Sequence, residues 1–119
     1  MKARTMINER LFLDTSGLLS IDDKGDFRNV QAIKLFGDAK ILLTTNYVLA
    51  EFLPLSYVRG ENRRETLSFI KDILEVPRFE LIWVNNNLHN QAMNLLENRL
   101  DKNYSLCDAV SFVIGACAG

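Results

Sequence analysis

Arg10-Leu-Phe-Leu-Asp14, followed at once by Thr15-Ser16-Gly17, is the stretch whose reading decides the fold. A short apolar run passes without interruption into a carboxylate and then into small, turn-forming residues. Such a run reads as a buried strand. The same design recurs downstream. Lys40-Ile-Leu-Leu-Thr-Thr45 is a second short apolar strand, and Phe79 to Val84 is a third.

Between these strands the apolar spacing lengthens to that of helices. Ile21 to Asp26 is polar and ends in the turn residues Lys24-Gly25-Asp26; Val30, Ile33, Leu35 and Phe36 then form a helical face that stops at Gly37. Thr45 can cap a helix from Asn46 to about Val58, with a kink expected at Pro54. Glu61 to Val76 is amphipathic, with Leu67, Ile70, Ile73 and Leu74 on one side and Pro77 as its stop. Asn85-Asn86-Asn87 caps a helix carrying Leu88, Ala92, Leu95, Leu96 and Leu100. Ser105 opens the last helix, whose apolar face is Leu106, Ala109, Val110, Val113 and Ile114. Trp83, between apolar strand residues, is expected in the core. Strands alternating with helices predict an α/β fold in three layers, a short central parallel sheet with helices on both faces. In open sheets of this kind ligands bind beyond the carboxyl ends of the strands. That points at Asp14 and Thr45.

The whole chain, 119 residues at 48% apolar and 24% charged, is the size of one domain, 1–119, with no repeat or composition break. Its 14 Lys and Arg against 15 Asp and Glu argue against a protein that holds nucleic acid by bulk electrostatics. A nuclease with an acidic site and local basic residues is compatible with that balance. Met1 to Arg10 lacks the apolar core of a signal peptide, and no uncharged apolar run reaches the length of a membrane span. Cys107 and Cys117 share one helical pattern, which separates them by about 15 Å, beyond disulfide reach. The expectation is a reduced, cytoplasmic protein.

Most of the acids sit among other charges and read as solvated surface. Asp14, Glu51 and Asp108 do not. Asp14 is the only charge between Arg10 and Asp22, Glu51 the only one between Lys40 and Arg59, and Asp108 the only one after Lys102. A carboxylate among apolar residues is costly to bury unless it is paired, neutralised or bound to a cation. Converging at one sheet edge, the three would form an all-oxygen site suited to Mg²⁺ or Mn²⁺. Each also has a local reading: Asp14 as the cap of a helix from Thr15, Glu51 reaching water from a helix edge, Asp108 as the acid of a Ser105-x-x-Asp108 capping box.

The flanks of these acids carry a resemblance. Leu-Phe-Leu-Asp-Thr-Ser-Gly-Leu-Leu (11–19), Thr-Thr-Asn-Tyr-Val-Leu-Ala-Glu (44–51) and Tyr-Ser-Leu-Cys-Asp-Ala-Val-Ser-Phe (104–112) resemble the leading blocks of the PIN-domain ribonucleases, which include the toxin halves of VapBC toxin–antitoxin pairs. The resemblance spans residues 10 to 114. It implies a PIN-like fold and a metal-dependent endoribonuclease, with Asp14, Glu51 and Asp108 as the metal-binding catalytic carboxylates and Mg²⁺ or Mn²⁺ as cofactor. Thr15 and Thr45, flanking two of them, would contact the metal's ligands or its bound water. The implied partners are an RNA substrate, an antitoxin protein and a second copy of the chain. In the implied sheet order the first strand is central, with Lys40 to Thr45 on one side. The pattern departs at its end. The family continues into Ala-x-Thr-x-Asp-x-x-Phe, whereas this chain reads Val113-Ile-Gly-Ala-Cys-Ala-Gly119, so the expectation is a C-terminally incomplete domain without the fourth acid. Leu11-Phe12-Leu13 would then form an exposed edge open to self-association.

Two other functional classes stand beside the nuclease: a degenerate PIN remnant that binds protein or itself, and a receiver-like signalling domain. The latter needs a lysine late in the chain near the acids, and none follows Lys102. Arg59, Arg63 and Arg64 are a basic cluster that could contact RNA phosphates, although interleaved Glu61 and Glu65 also fit a solvated face. His89 reads as structural or surface and Cys107 as packing. No phosphate-binding Gly-rich loop or zinc spacing is present.

Overall fold

The computed structural model describes residues 10–118, with side chains described as far as Gly115. The readings made on Met1 to Glu9 and on the Cys117 side chain lie outside the described residues. In chain order the elements are β1 (Arg10–Phe12), α1 (Thr15–Asp22), α2 (Asn29–Asp38), β2 (Ile41–Thr45), α3 (Asn46–Val58), α4 (Arg63–Leu74), β3 (Phe79–Ile82), α5 (Asn86–Asn98) and α6 (Leu106–Ala118). The strands pair in parallel in the order β1-β2-β3, with Leu11 opposite Leu42 and Leu42 opposite Phe79.

Each strand delivers its chain to a helix N-terminus at the same sheet edge. The residue that makes the transition is in each case a side-chain cap: Asp14 accepts from Gly17 N, Thr45 from Val48 N and Asn85 from Leu88 N. Side-chain oxygens satisfy donors that the first turn of a helix leaves unpaired. The β1–β2 pairing extends to the residue before Asp14, through Leu13 N to Leu43 O at 2.7 Å and Thr44 Oγ1 to Leu13 O at 2.8 Å. Asp14 is therefore held in register with the end of β2.

Two apolar clusters flank the sheet. One gathers Leu11, Leu13, Leu18, Leu42, Val48, Phe52 and Phe79; the other gathers Ala92, Ala109, Val110 and Ile114, with Phe12 packed against both. Small Ala92 and Ala109, both fully buried, allow α5 and α6 to approach closely. Among the described residues β1 pairs with β2 alone, so its other side is an edge. The expected edge along Leu11-Phe12-Leu13 is found there, with its side chains turned inward. Leu11 and Leu13 are buried and Phe12 is half-buried, so the edge presents backbone groups rather than apolar side chains.

Four sequence expectations are revised in whole or in part. Trp83 is 70% exposed rather than in the core, because β3 ends at Ile82 and the chain then leaves the sheet toward Val84, whose N–H is bonded by Asn46. On α2 Asn29 and Ala32 are buried and Leu35 and Phe36 pack against the core as expected, while Val30 and Ile33 face out. The Asn29 carboxamide donates to the Ser20 and Ile21 carbonyls and turns that side of the helix inward. On α4 Thr66 and Ile73 are buried and Ile70 and Leu74 pack against the core as expected, leaving only Leu67 of that face exposed, and Leu100 lies beyond the end of α5.

Candidate active site

The carboxyl edge of the sheet holds an open pocket of about 250 Å³ lined by Asp14, Thr15, Ser16, Leu19, Glu51, Leu55, Cys107, Asp108 and Ser111. The three isolated carboxylates thus come from three elements: the β1–α1 junction, the middle of α3 and the first turn of α6. Two of the local readings hold at the same time. Asp14 Oδ1 accepts from Gly17 N at 2.7 Å, capping α1. Asp108 Oδ2 accepts from Ser105 N at 3.1 Å while Ser105 Oγ accepts from Asp108 N at 3.0 Å, a complete capping box. Backbone donors therefore orient both carboxylates toward the pocket wall before any ligand arrives. Glu51 is half-buried on α3 and caps no helix.

The fields of these acids converge on Cys107. Burial, followed by the charge of Glu51, raises its thiol to about 11; the Thr15 hydroxyl opposes the shift, and Asp108 and Asp14 add to it. A thiol so held is protonated and a poor nucleophile at neutral pH, which agrees with a packing role.

Thr15 is buried beside the acids, whereas Thr45 is absent from the pocket lining. The Thr45 hydroxyl accepts from Val48 N at 3.0 Å, capping α3. Arg59 pairs with Asp23 at 3.2 Å and Asp26 at 3.5 Å, and so braces the loop after α1. Arg63 and Arg64 are separate from it, on an exposed face of α4 with Leu67, Ser68 and Lys71. His89 Nδ1 lies 2.6 Å from the Tyr47 hydroxyl and ties α5 to α3, a structural role. Sequence reasoning gave no role to Ser16 and Ser111. Ser16 stands in the quoted first block and Ser111 one helical turn after Cys107, so helical spacing could have found the latter.

Among the described residues no three acidic, His or Cys side chains form a ready-made cage for a metal ion. The donor chemistry nevertheless fits a hard divalent cation, since Mg²⁺ is commonly held by one or two carboxylates and keeps several waters.

No protein-family model matches the chain. The 23S rRNA-specific endonuclease VapC20 of Mycobacterium tuberculosis, in two strains, is 29% identical over 105 residues, 87% of this chain and 79% of the relative. The crystal structure of M. tuberculosis VapC20, a sarcin–ricin loop-cleaving toxin, superposes with a TM-score of 0.78 at 28% identity, over 87% of this chain and 79% of that one. In sequence and in fold the chain is similar to this VapC-type ribonuclease. Its α/β order and short parallel sheet agree with the fold of the matched structure. Neither a receiver-like module nor a purely protein-binding remnant is favoured by relatives that are nucleases. No helix among the described residues is long and apolar enough to cross a membrane.

Proposed function

We propose that this protein is a divalent-metal-dependent endoribonuclease, the toxin half of a toxin–antitoxin pair, acting in the cytoplasm as a single PIN-like domain, 1–119. The observation that carries the site assignment is the meeting of Asp14, Glu51 and Asp108 on one pocket from three separate elements. In this reading Asp14 and Asp108, each tethered to backbone N–H groups, hold Mg²⁺ or Mn²⁺ together with Glu51. The ion, when bound, supplies positive charge against the charge developing on the phosphate and acidifies a water. Glu51, which caps no helix, would be the group to orient an attacking water and take up its proton, and Thr15 is buried in the same pocket wall.

The pocket repels a polyanion unless cations surround it. Arg63 and Arg64 on α4, with Lys71 beside them, are the phosphate contacts in this proposal, and Arg59 acts on the loop it braces. Ribosomal RNA, the substrate named for the relative VapC20, is the first substrate to test. The partners proposed are a cognate antitoxin protein and a second copy of this chain meeting along the β1 edge. The test is incubation of purified protein with ribosomal RNA in Mn²⁺ and in EDTA. Discrete fragments with Mn²⁺ and none with EDTA are expected; cleavage indifferent to EDTA refutes the metal role, and no cleavage refutes the nuclease.

A further inference from the structure

The loop between α1 and α2 holds a large apolar ring in solvent: Phe27 is 93% exposed. The loop around it is tied down. Asp26 N donates to Asp23 O and Asn29 N to Asp26 O, Gly25 N donates to Asp23 Oδ1, and the Asn29 carboxamide reaches back to α1. The exposure of Phe27 is thus imposed by a braced backbone.

Its neighbour Arg28 connects the ring to the acidic pocket. The Arg28 guanidinium is gripped by Asp26, with Nε to Oδ1 and Nη2 to Oδ2 both at 3.1 Å, and its Nη1 donates to Ser16 Oγ at 3.0 Å. Ser16 lines the pocket that holds the three carboxylates. The same guanidinium lies 5.5 Å from the centroid of the Phe27 ring. A route of contacts therefore runs from an exposed aromatic face, through a fixed arginine, to the lip of the site.

Building on the nuclease reading above, we infer that Phe27 is a stacking platform for an unpaired RNA base next to the scissile phosphate, with Arg28 setting the position of the ring. Single-stranded RNA is recognised by bases stacked on aromatic rings and guanidinium planes, and every base offers a face for it. Val30 and Ile33 are also exposed on α2, and with Phe27 they could form an apolar strip for a protein. Only Phe27 is joined to the pocket, through Arg28, and that favours the RNA base.

The full chain is assayed on ribosomal RNA with Mn²⁺, with initial rates measured against RNA concentration for wild type, Phe27→Leu, Phe27→Trp and the double variant Val30→Ser/Ile33→Ser. Phe27→Leu keeps an apolar side chain and removes the ring. Its KM is expected to rise about tenfold, about 1.4 kcal/mol and the size of one base–aromatic stack, with kcat within about twofold. Phe27→Trp is expected to restore KM, and the double variant to match wild type. An unchanged KM in Phe27→Leu overturns the inference. An equal rise in the double variant also overturns it, in favour of an apolar strip suited to protein. A wild type that leaves the RNA intact removes the nuclease reading and this inference together, before any variant is compared.

Discussion

Replacing Asp14 separates two duties proposed for one carboxylate. Its Oδ1 accepts from Gly17 N at 2.7 Å, which caps α1, and the same side chain lines the pocket proposed to hold the metal. Asn offers the same acceptor oxygen and ranks with Asp as an N-cap. Asp14→Asn therefore keeps the cap and removes the charge, whereas Asp14→Ala removes both. Losing such a cap costs about 1 kcal/mol. For a chain of 119 residues the entropy of unfolding is about 250 cal/mol/K, so this loss lowers Tm by about 4 °C. An ion at a hundred times its Kd stabilises the native state by about 2.7 kcal/mol, about 11 °C on the same scale. Thermal melts followed by circular dichroism, in EDTA and in saturating Mn²⁺ at matched ionic strength, read both duties. Wild type is expected to gain the full Mn²⁺ increment. Asp14→Asn should melt near wild type in EDTA and lose most of that increment; Asp14→Ala should be lower in EDTA and gain nothing. A full Mn²⁺ increment in Asp14→Asn would leave the residue as a cap alone and refute its part in the site.

Other outcomes follow from the same geometry. Burial, reinforced by Glu61, Asp23 and Glu65, pushes the Asp22 carboxyl up, so the unfolded chain releases this proton more readily than the native one and native stability falls as pH rises. Asp22→Asn is expected to raise Tm at neutral pH, with the gain shrinking as the pH is lowered toward about 4. In a Cys117→Ser background, alkylation of Cys107 by iodoacetamide in EDTA should keep accelerating up to about pH 11 instead of levelling off near 9.0; levelling at the ordinary value would show that neither burial nor the neighbouring acids raise it. Sedimentation across a dilution series should reveal self-association through the β1 edge, with its amides protected from hydrogen exchange as dimer forms. A monomer at micromolar concentration would refute that pairing.

The alternation of strands and helices was legible because it rests on strong local chemistry. Asp14, Thr45 and Asn85 are capping residues placed where apolar runs end, and each caps the helix expected of it. The acids were legible by isolation, since Glu51 stands alone in an apolar helix and Asp108 in an apolar C-terminal segment. Long-range choices were not legible. On α2 Leu35 and Phe36 pack inward as expected, but Asn29 reaching two carbonyls on α1 is a contact no periodicity encodes. Trp83 looks like core because its neighbours are apolar, yet the strand has already ended there. Arg59 shares a sequence cluster with Arg63 and Arg64, and only the fold shows it turned toward Asp23 and Asp26.

The claim that three carboxylates form one catalytic site is tested most directly at Glu51, which caps no helix. Turnover of ribosomal RNA in Mn²⁺ is compared between wild type and Glu51→Gln, with Tm in EDTA measured on the same samples. Turnover is expected to fall about 100-fold or more, as for loss of a general base, while Tm stays unchanged or rises. Undiminished turnover in a folded Glu51→Gln variant would contradict the assignment.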